Sequence, residues 1–423
     1  MLDRKLIRKD PEKVKKGIVA KGVEFDIDGL LELEGWMRDL IQETEKLKQQ
    51  RNTVSKNIST LKKQGEDASA LMNEMKAKSA MIINIDGELK EIEEKIAELE
   101  QGIPNIPHES VPSGTCDKDN PEVRRWGDIP EQPGELLVHE EIGEKLGILD
   151  MSAGALISGR GFVVLRGDGA RLSRALVSLM LDIHREQGYE ELSVPYLVNR
   201  DSMIGTGQLP KMAEDMYHCE KDDLYLIPTA EVPVTNIYRD SMLYGADLPI
   251  KATAFSPCFR REAGSYGQET KGMIRVHQFD KVEMVRWTLP EKSYEELEIL
   301  LDDACAVLEA LELPYRVIEL CSGDLSFSAA KCYDIETWAP ASDRWLEVSS
   351  CSNFEDFQAR RARIRFKREK GGKPEFVHTL NGSGLALPRI IVTILELNQT
   401  PTGKIRIPKA LIPYMGGQEY IEA

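Results

Sequence analysis

Between positions 33 and 61, apolar side chains recur at steps of four and three: Leu33, Met37, Leu40, Leu47, Val54, Ile58 and Leu61. Thr44 and Arg51 occupy the same register as polar exceptions. The stepping returns as Met75, Ile82, Ile85, Leu89, Ile92, Ile96 and Leu99. Each run predicts a helix with one apolar seam that needs a partner. Gly65, Glu66 and Asp67 interrupt the pattern between them. Two seams separated by a short break predict an antiparallel helical hairpin with arms of about 30 residues, hence ~45 Å long. The same pattern also fits a coiled coil between two chains.

Charge divides over the two runs. Residues 36–63 hold seven basic and three acidic side chains, residues 70–100 four basic and eight acidic, so the arms attract along their flanks. GIPNIPHESVPSG (102–114) reads as a linker. Beyond it the period changes. ARLSRALVSLMLDIHREQG (170–188) is an amphipathic helix, and YEELSVPYLV (189–198) is strand-like around Pro195. KATAFSPCFRRE (251–262) and GMIRVHQFDKVEMVRW (272–287) predict long strands, and YRVIEL, KCYDIETWAP and RWLEVSSCSNF predict others. A last helix starts near Pro388. Long hairpin strands flanked by helices predict an α+β fold with a mostly antiparallel sheet. Domains are expected at 1–108, carrying the helical arm, and 109–423.

At 423 residues with 41% hydrophobic and 30% charged side chains, the chain is a globular protein of two or three domains. A net charge of −16 argues against indiscriminate nucleic-acid binding, though not against a local basic surface. Two such stretches exist: residues 1–24, with eight basic against four acidic side chains, and 359–370, with seven against one. Seven scattered cysteines without a C-x-x-C predict reduced, inert thiols and no zinc. No apolar run approaches the roughly 20 residues of a membrane helix, and MLDRKLIRKD lacks a signal peptide's core, so a cytoplasmic protein with no membrane partner is expected.

The chemistry gathers around FRREAGSYGQETKGMIRVHQF (259–279). If both flanks are strands, alternation puts Arg275, His277, Phe279, Lys281 and Glu283 on one face, and Arg260 and Glu262 on another. Arginine meets phosphate with two parallel hydrogen bonds, phenylalanine stacks on a base, and glutamate accepts from an amino group. A nucleotide fits that set; so does a solvated face with cross-strand ion pairs. The loop between the flanks is expected to be mobile. Glu231, in the apolar stretch LIPTAEVPVTN, is a charge that needs a reason. Glu347 and Ser350 offer hard oxygens suited to Mg²⁺ held together with phosphates. Arg389 follows Pro388 at a helix start, a favourable place for an anion.

TGQLPKMAEDMY, PTAEVPVTN, FRREAGSYGQETKGMIRVHQFDKVEM, EVSSCSNFEDFQARRARIRFK and HTLNGSGLALPR, in this order, resemble the signatures of bacterial-type seryl-tRNA synthetases, and the resemblance runs end to end. It implies a class II antiparallel catalytic domain behind the arm, a homodimer joined around 170–198, and ATP-dependent charging of tRNA(Ser) with L-serine. The family also allows tRNA(Sec) as an acceptor. ATP would be bound by Arg260, Arg261, Glu262, Arg275, Val276, Phe279, Glu347, Val348, Ser349, Ser350 and Arg389. Arg260, Arg275 and Arg389 would stabilise the transition state. Glu347 and Ser350 would ligate Mg²⁺. Serine would meet Thr229, Ala230, Glu231, Arg260, Glu283, Asn381 and Ser383. Two departures stand out: Pro388 where many members have Gly, and ELNQ (396–399) where an E-N-Y-Q run is commoner. A ligase that loads a carrier protein, or an inactive RNA-binding paralogue, are the rival readings.

Overall fold

The computed structural model describes residues 1–131, 134–263 and 272–423. The loop 263–271, expected to be mobile, lies outside the described residues but for Ala263. The chain folds as two units: residues 2–19 with 23–104, and Met1 with 20–22 and everything from Asn105 on.

The smaller unit is built on two long antiparallel helices, Ile27–Gln64 and Ser69–Gln101. At 38 and 33 residues they exceed the expected arms, reaching ~57 and ~50 Å. Asp26 caps the first by accepting the Gly29 N–H, and Gly65 ends it at φ 75°, a conformation that glycine adopts without strain. Along the seam the buried positions are Leu40, Thr44, Val54 and Ile58 on one helix, and Ile82, Ile85, Ile92 and Ile96 on the other, while Ile27, Leu30, Glu34 and Glu100 are buried nearer the helices' far ends. The seam keeps the predicted register. The seam is therefore filled within one chain, which removes the two-chain coil. Arg51 is half-buried in the same register, while the Thr44 hydroxyl finds no hydrogen-bond partner. Lys48 reaches Asp86 across the seam at 3.2 Å. Lys46, Lys56, Lys62 and Lys63 stay exposed on the first helix.

The larger unit is organised on an eight-stranded sheet. In spatial order its strands are Glu122–Trp126, Tyr315–Glu319, Lys331–Ala339, Arg344–Asn353, His378–Ala386, Gln278–Thr288, Ile250–Phe259 and Glu190–Leu192. Each neighbouring pair is antiparallel except the last. Helices Asp168–Glu186, Ser293–Ala310 and Leu387–Leu397 share one apolar core with it, through residues such as Leu176, Met180, Leu301, Ile391, Met284 and Val348.

Three expectations need correction. The stretch 189–198 is not one strand: only Glu190–Leu192 and Leu197–Asn199 are extended, in different sheets, because Pro195 cannot donate to a ladder. The long strands flanking the 263–271 loop are shorter on the loop side, ending at Phe259 and starting at Gln278. Arg260, Glu262, Arg275 and His277 therefore do not alternate along a ladder, and Glu262 sits at φ 52°. Finally, the basic stretch 359–370 is not a free basic face. Arg360 pairs with Asp356, Arg363 with Asp240 and Arg368 with Glu291, while Arg361 is buried against the rings of Phe357 and Phe327.

Candidate active site

Two bulges shape the middle of the sheet. Between Ile335 and Glu336 the register against the 344–353 strand shifts, and Val348 is the extra residue. Positions three apart normally face opposite ways; this bulge brings Glu347 to the face that carries Ser350 and Ser352. The second shift lies opposite Lys281–Glu283, where Gly384 and Leu385 occupy the space of one residue. A side chain at Gly384 would start 2.2 Å from His184 Nε2, so only glycine lets the strand pass. Bulges of this kind re-aim side chains beside active sites.

The result is a cleft of about 450 Å³, lined by residues from all the signature stretches. Its inner end holds two buried carboxylates. Glu283 accepts from the Asn381 amide at 2.8 Å and from the Thr229 hydroxyl at 3.1 Å, and it pairs with Lys281. Lys281 also donates to Thr229 Oγ1 at 2.9 Å, as does the Glu231 N–H at 3.2 Å. Thr229 thus uses its one donor and both acceptor sites. Glu231 receives the Gln358 amide at 2.6 Å, and Thr379 fixes that amide by donating to its oxygen at 2.8 Å. Burial, and then the nearby charge of Glu283, raises the Glu231 carboxyl to about 7.

The outer end is a row of arginines. Arg260 lies over the Phe279 ring at 5.1 Å and donates to the Pro228 carbonyl at 3.3 Å. Arg275 pairs with Glu262 at 2.6 Å. Arg389, in the first turn of its helix, donates to the Glu347 carbonyl at 2.6 Å and lies 3.4 Å from its carboxylate. A second contact, Arg389 Nε to the Ile274 carbonyl at 3.3 Å, ties it to the segment carrying Arg275. That segment is itself anchored: His139 accepts the Met273 N–H at 3.2 Å and donates to Glu396 at 3.0 Å. Gly272 lets it approach, at φ +64° and with room for no side chain beside His139.

The ELNQ departure is local. Glu396 and Gln399 both hold residues 137–139, Leu397 joins the core, and Asn398 caps the Arg406 carbonyl. Pro388 sits in the helix's first turn, where a missing N–H costs nothing.

Of the sequence-derived site residues, Thr229, Glu231, Arg260, Glu262, Arg275, Val276, Phe279, Glu347, Val348, Ser349, Ser350, Asn381, Ser383 and Arg389 line the cleft. Glu283 does not line it, but accepts hydrogen bonds from Thr229 and Asn381, which do. Arg261 does not line it; its guanidinium donates to the Glu214 carbonyl at 3.1 Å. Ala230 is buried and is not among the lining residues. His277 braces the backbone, its Nδ1 on the Arg260 carbonyl at 3.0 Å. Three residues escaped the sequence reading. Lys281 was visible by alternation but given no task. Gln358 was hidden at the edge of the basic stretch. Asp334 lies opposite Ser350 in the ladder, its carboxyl raised by burial and by Glu347.

Among the described residues no group of three His, Cys, Asp or Glu could hold a metal unaided. Glu347 and Ser350 supply two hard oxygens on one face, which fits Mg²⁺ only when other ligands, such as phosphate oxygens, complete the shell.

Comparison with known proteins agrees over the whole chain. Residues 1–107 match a family profile described as the seryl-tRNA synthetase N-terminal domain, and 216–398 match the class II tRNA synthetase core domain (G, H, P, S and T). A serine–tRNA ligase of Desulfitobacterium hafniense is 52% identical, covering 100% of both chains. One from Listeria welshimeri is 53% identical, covering 100% of this chain and 99% of its own. The crystal structure of a Pyrococcus horikoshii seryl-tRNA synthetase complexed with ATP superposes with a TM-score of 0.94 at 37% identity, covering 100% of this chain and 99% of that one.

Proposed function

The chain belongs to the seryl-tRNA synthetase family, and from that premise we propose how its cleft activates L-serine with ATP and charges tRNA(Ser). One observation carries the assignment of the inner end to the amino acid. Two buried carboxylates, Glu231 and Glu283, lie close enough for the charge of one to raise the other, and the ammonium of Lys281 pairs with Glu283 while Glu231 has the Gln358 amide. The substrate ammonium supplies the missing positive charge, at Glu231 and Thr229. Its hydroxyl then reaches Glu283, Asn381 and Ser383. Alanine leaves those groups unpaired and is refused by the cost of burying them unsatisfied.

The outer end takes ATP. Arg260 holds the α-phosphate, Phe279 stacks on adenine, and Glu262 accepts from its amino group. Arg275 and Arg389 hold the β- and γ-phosphates, with Mg²⁺ on Glu347 and Ser350 offsetting further charge. A serine carboxylate oxygen attacks the α-phosphorus, and pyrophosphate leaves. A ribose hydroxyl of the terminal tRNA adenosine then attacks the seryl carbonyl, and AMP leaves. No protein nucleophile takes part. The work is alignment of two anions and stabilisation of charge by fixed guanidinium groups.

The arm binds tRNA through the exposed lysines of its first helix, reading shape and phosphate rather than base edges. The working unit is a homodimer in which the arm serves the partner's tRNA; exposed Leu156 and Ile157, at 88% and 73%, support a covered face. Seven unpaired thiols, and the nature of ATP and tRNA as substrates, favour the cytoplasm. A carrier-protein ligase is disfavoured by the arm, which such a partner does not need. The test is serine-dependent ATP–pyrophosphate exchange followed by charging of tRNA(Ser). Glu231→Gln is expected to raise the serine KM at least tenfold with the ATP KM within about twofold; an unchanged serine KM refutes the assignment.

A further inference from the structure

Lys21 is buried, 7% exposed, and among the described residues no carboxylate pairs with it. Its ammonium donates instead to three backbone carbonyls, Ser326 at 2.8 Å, Phe327 at 3.4 Å and Ala329 at 2.6 Å. The Asn105 N–H takes Phe327 O again at 2.9 Å, its amide takes Ser328 O at 2.9 Å, and the His108 N–H takes Ala330 O at 2.9 Å. Five consecutive carbonyls, 326–330, are therefore held by residue 21 and residues 105–108. Ser326, Phe327 and Ser328 form part of the cleft wall. An ammonium buried among carbonyls is a costly way to hold a loop, and burial depresses it to about 7.

The strap leads to the inner end of the cleft. Ser328 Oγ donates to the Thr206 carbonyl at 3.3 Å, and Gln358 donates to the same carbonyl at 3.2 Å. That Gln358 amide is the one holding Glu231 at 2.6 Å. The chain leaves the larger unit after Gly22 and returns to it at Asn105. The strap is thus gripped by residues next to two of the points where the chain passes between the units, Gly22–Val23 and Pro104–Asn105.

We propose that Lys21 is a positioning residue for serine binding: it fixes the 326–330 strap, and through Ser328, Thr206 and Gln358 the strap sets Glu231. The inference rests on the assignment of the inner end to serine. It also means that the junctions of the arm-bearing unit, and not only the cleft's own strands, set the amino-acid site.

The experiment is pyrophosphate exchange with full-length Lys21→Met, Ser328→Ala and the double variant, measuring serine KM, ATP KM and kcat. Lys21→Met is expected to raise the serine KM at least fivefold with ATP KM and kcat within twofold. Ser328→Ala is expected to raise it about threefold, a modest positional coupling, and the double variant is expected to be no worse than Lys21→Met alone. An unchanged serine KM in Lys21→Met overturns the proposal. So does an equal loss in all three parameters, or a double-variant KM that is the product of the single effects. Should Lys21→Met fail to fold, Ser328→Ala decides alone, and no change in its serine KM overturns the proposal. Absence of serine-dependent exchange in the unaltered protein would instead sink the functional assignment itself.

Discussion

The helical arm and the cleft use opposite strategies from the same chain. The arm spreads one simple rule over 71 helical residues: an apolar seam inside and charge outside, with most of its lysines unpaired. The cleft gathers side chains far apart in sequence and pairs most of its carboxylates with cations of its own. Glu283 has Lys281, Glu262 has Arg275, and Glu347 has Arg389. A surface that reads a long polyanion by its shape can leave cations in water, where they cost little. A site that must recognise one small molecule has to exclude water, and buried charge there must be compensated.

Separating the two regions is the strongest test. Removing residues 41–92 of the arm and closing the gap with a short glycine linker is expected to abolish tRNA charging, by at least a thousandfold. Serine-dependent pyrophosphate exchange should stay within about twofold of the intact protein. Charging at normal rate would end the arm's role, and lost exchange would mean the regions are not separable.

Inside the cleft, Glu283→Gln is expected to lower exchange about a hundredfold, since it strands the Lys281 ammonium in a buried site at a cost of about 3 kcal/mol. The ATP KM should remain within threefold, and a matching rise in the ATP KM would argue against two functional ends. Next comes pH. On the proposed assignment, the serine ammonium binds the ionised form of Glu231, whose carboxyl is raised to about 7. The serine KM should therefore fall as pH rises through 7, by up to tenfold per unit on the acid side, and the slope should vanish in Glu231→Gln. Stability runs the other way. The unfolded chain gives up this proton near the ordinary carboxylate value of about 4.3, so the empty protein loses stability between there and about 7 and no further above. Thermal melts across that range, compared with Glu231→Gln, check the sign.

The smallest expected effect lies back in the arm. Thr44→Val replaces a buried hydroxyl without a partner by a methyl of nearly the same shape, and should stabilise the arm by about 1 kcal/mol with exchange unaltered. A thermal melt that falls instead would mean the hydroxyl is satisfied in solution.

The contrast also explains what could be read from the sequence. The arm's seam was legible residue by residue, including its polar exceptions, because one period repeats with nothing to disturb it. In the cleft, the residue types were legible and their company was not. Arg275 and His277 seemed to continue a strand, but their segment is set by His139 and Gly272, over a hundred positions apart in the case of His139. Glu347 and Ser350 share a face only because of a bulge, which no local pattern announces. Arg361 hid in a stretch that could be a basic surface, and Gln358 just before it, although both are buried. Lys21 looked like one more lysine in a basic terminus; its neighbours are three hundred residues away.

If the outer end takes ATP as proposed, the pairing of Arg275 with Glu262 sets which ligands gain by entering it. A free phosphate or sulfate ion that takes the guanidinium must first displace the Glu262 carboxylate from it, so it gains less by intruding. Adenosine alone has the reverse defect. On the proposed reading, a molecule that carries both an exocyclic amine and a polyanionic tail compensates the two partners as it parts them, so the closed pair would select against small anions alone.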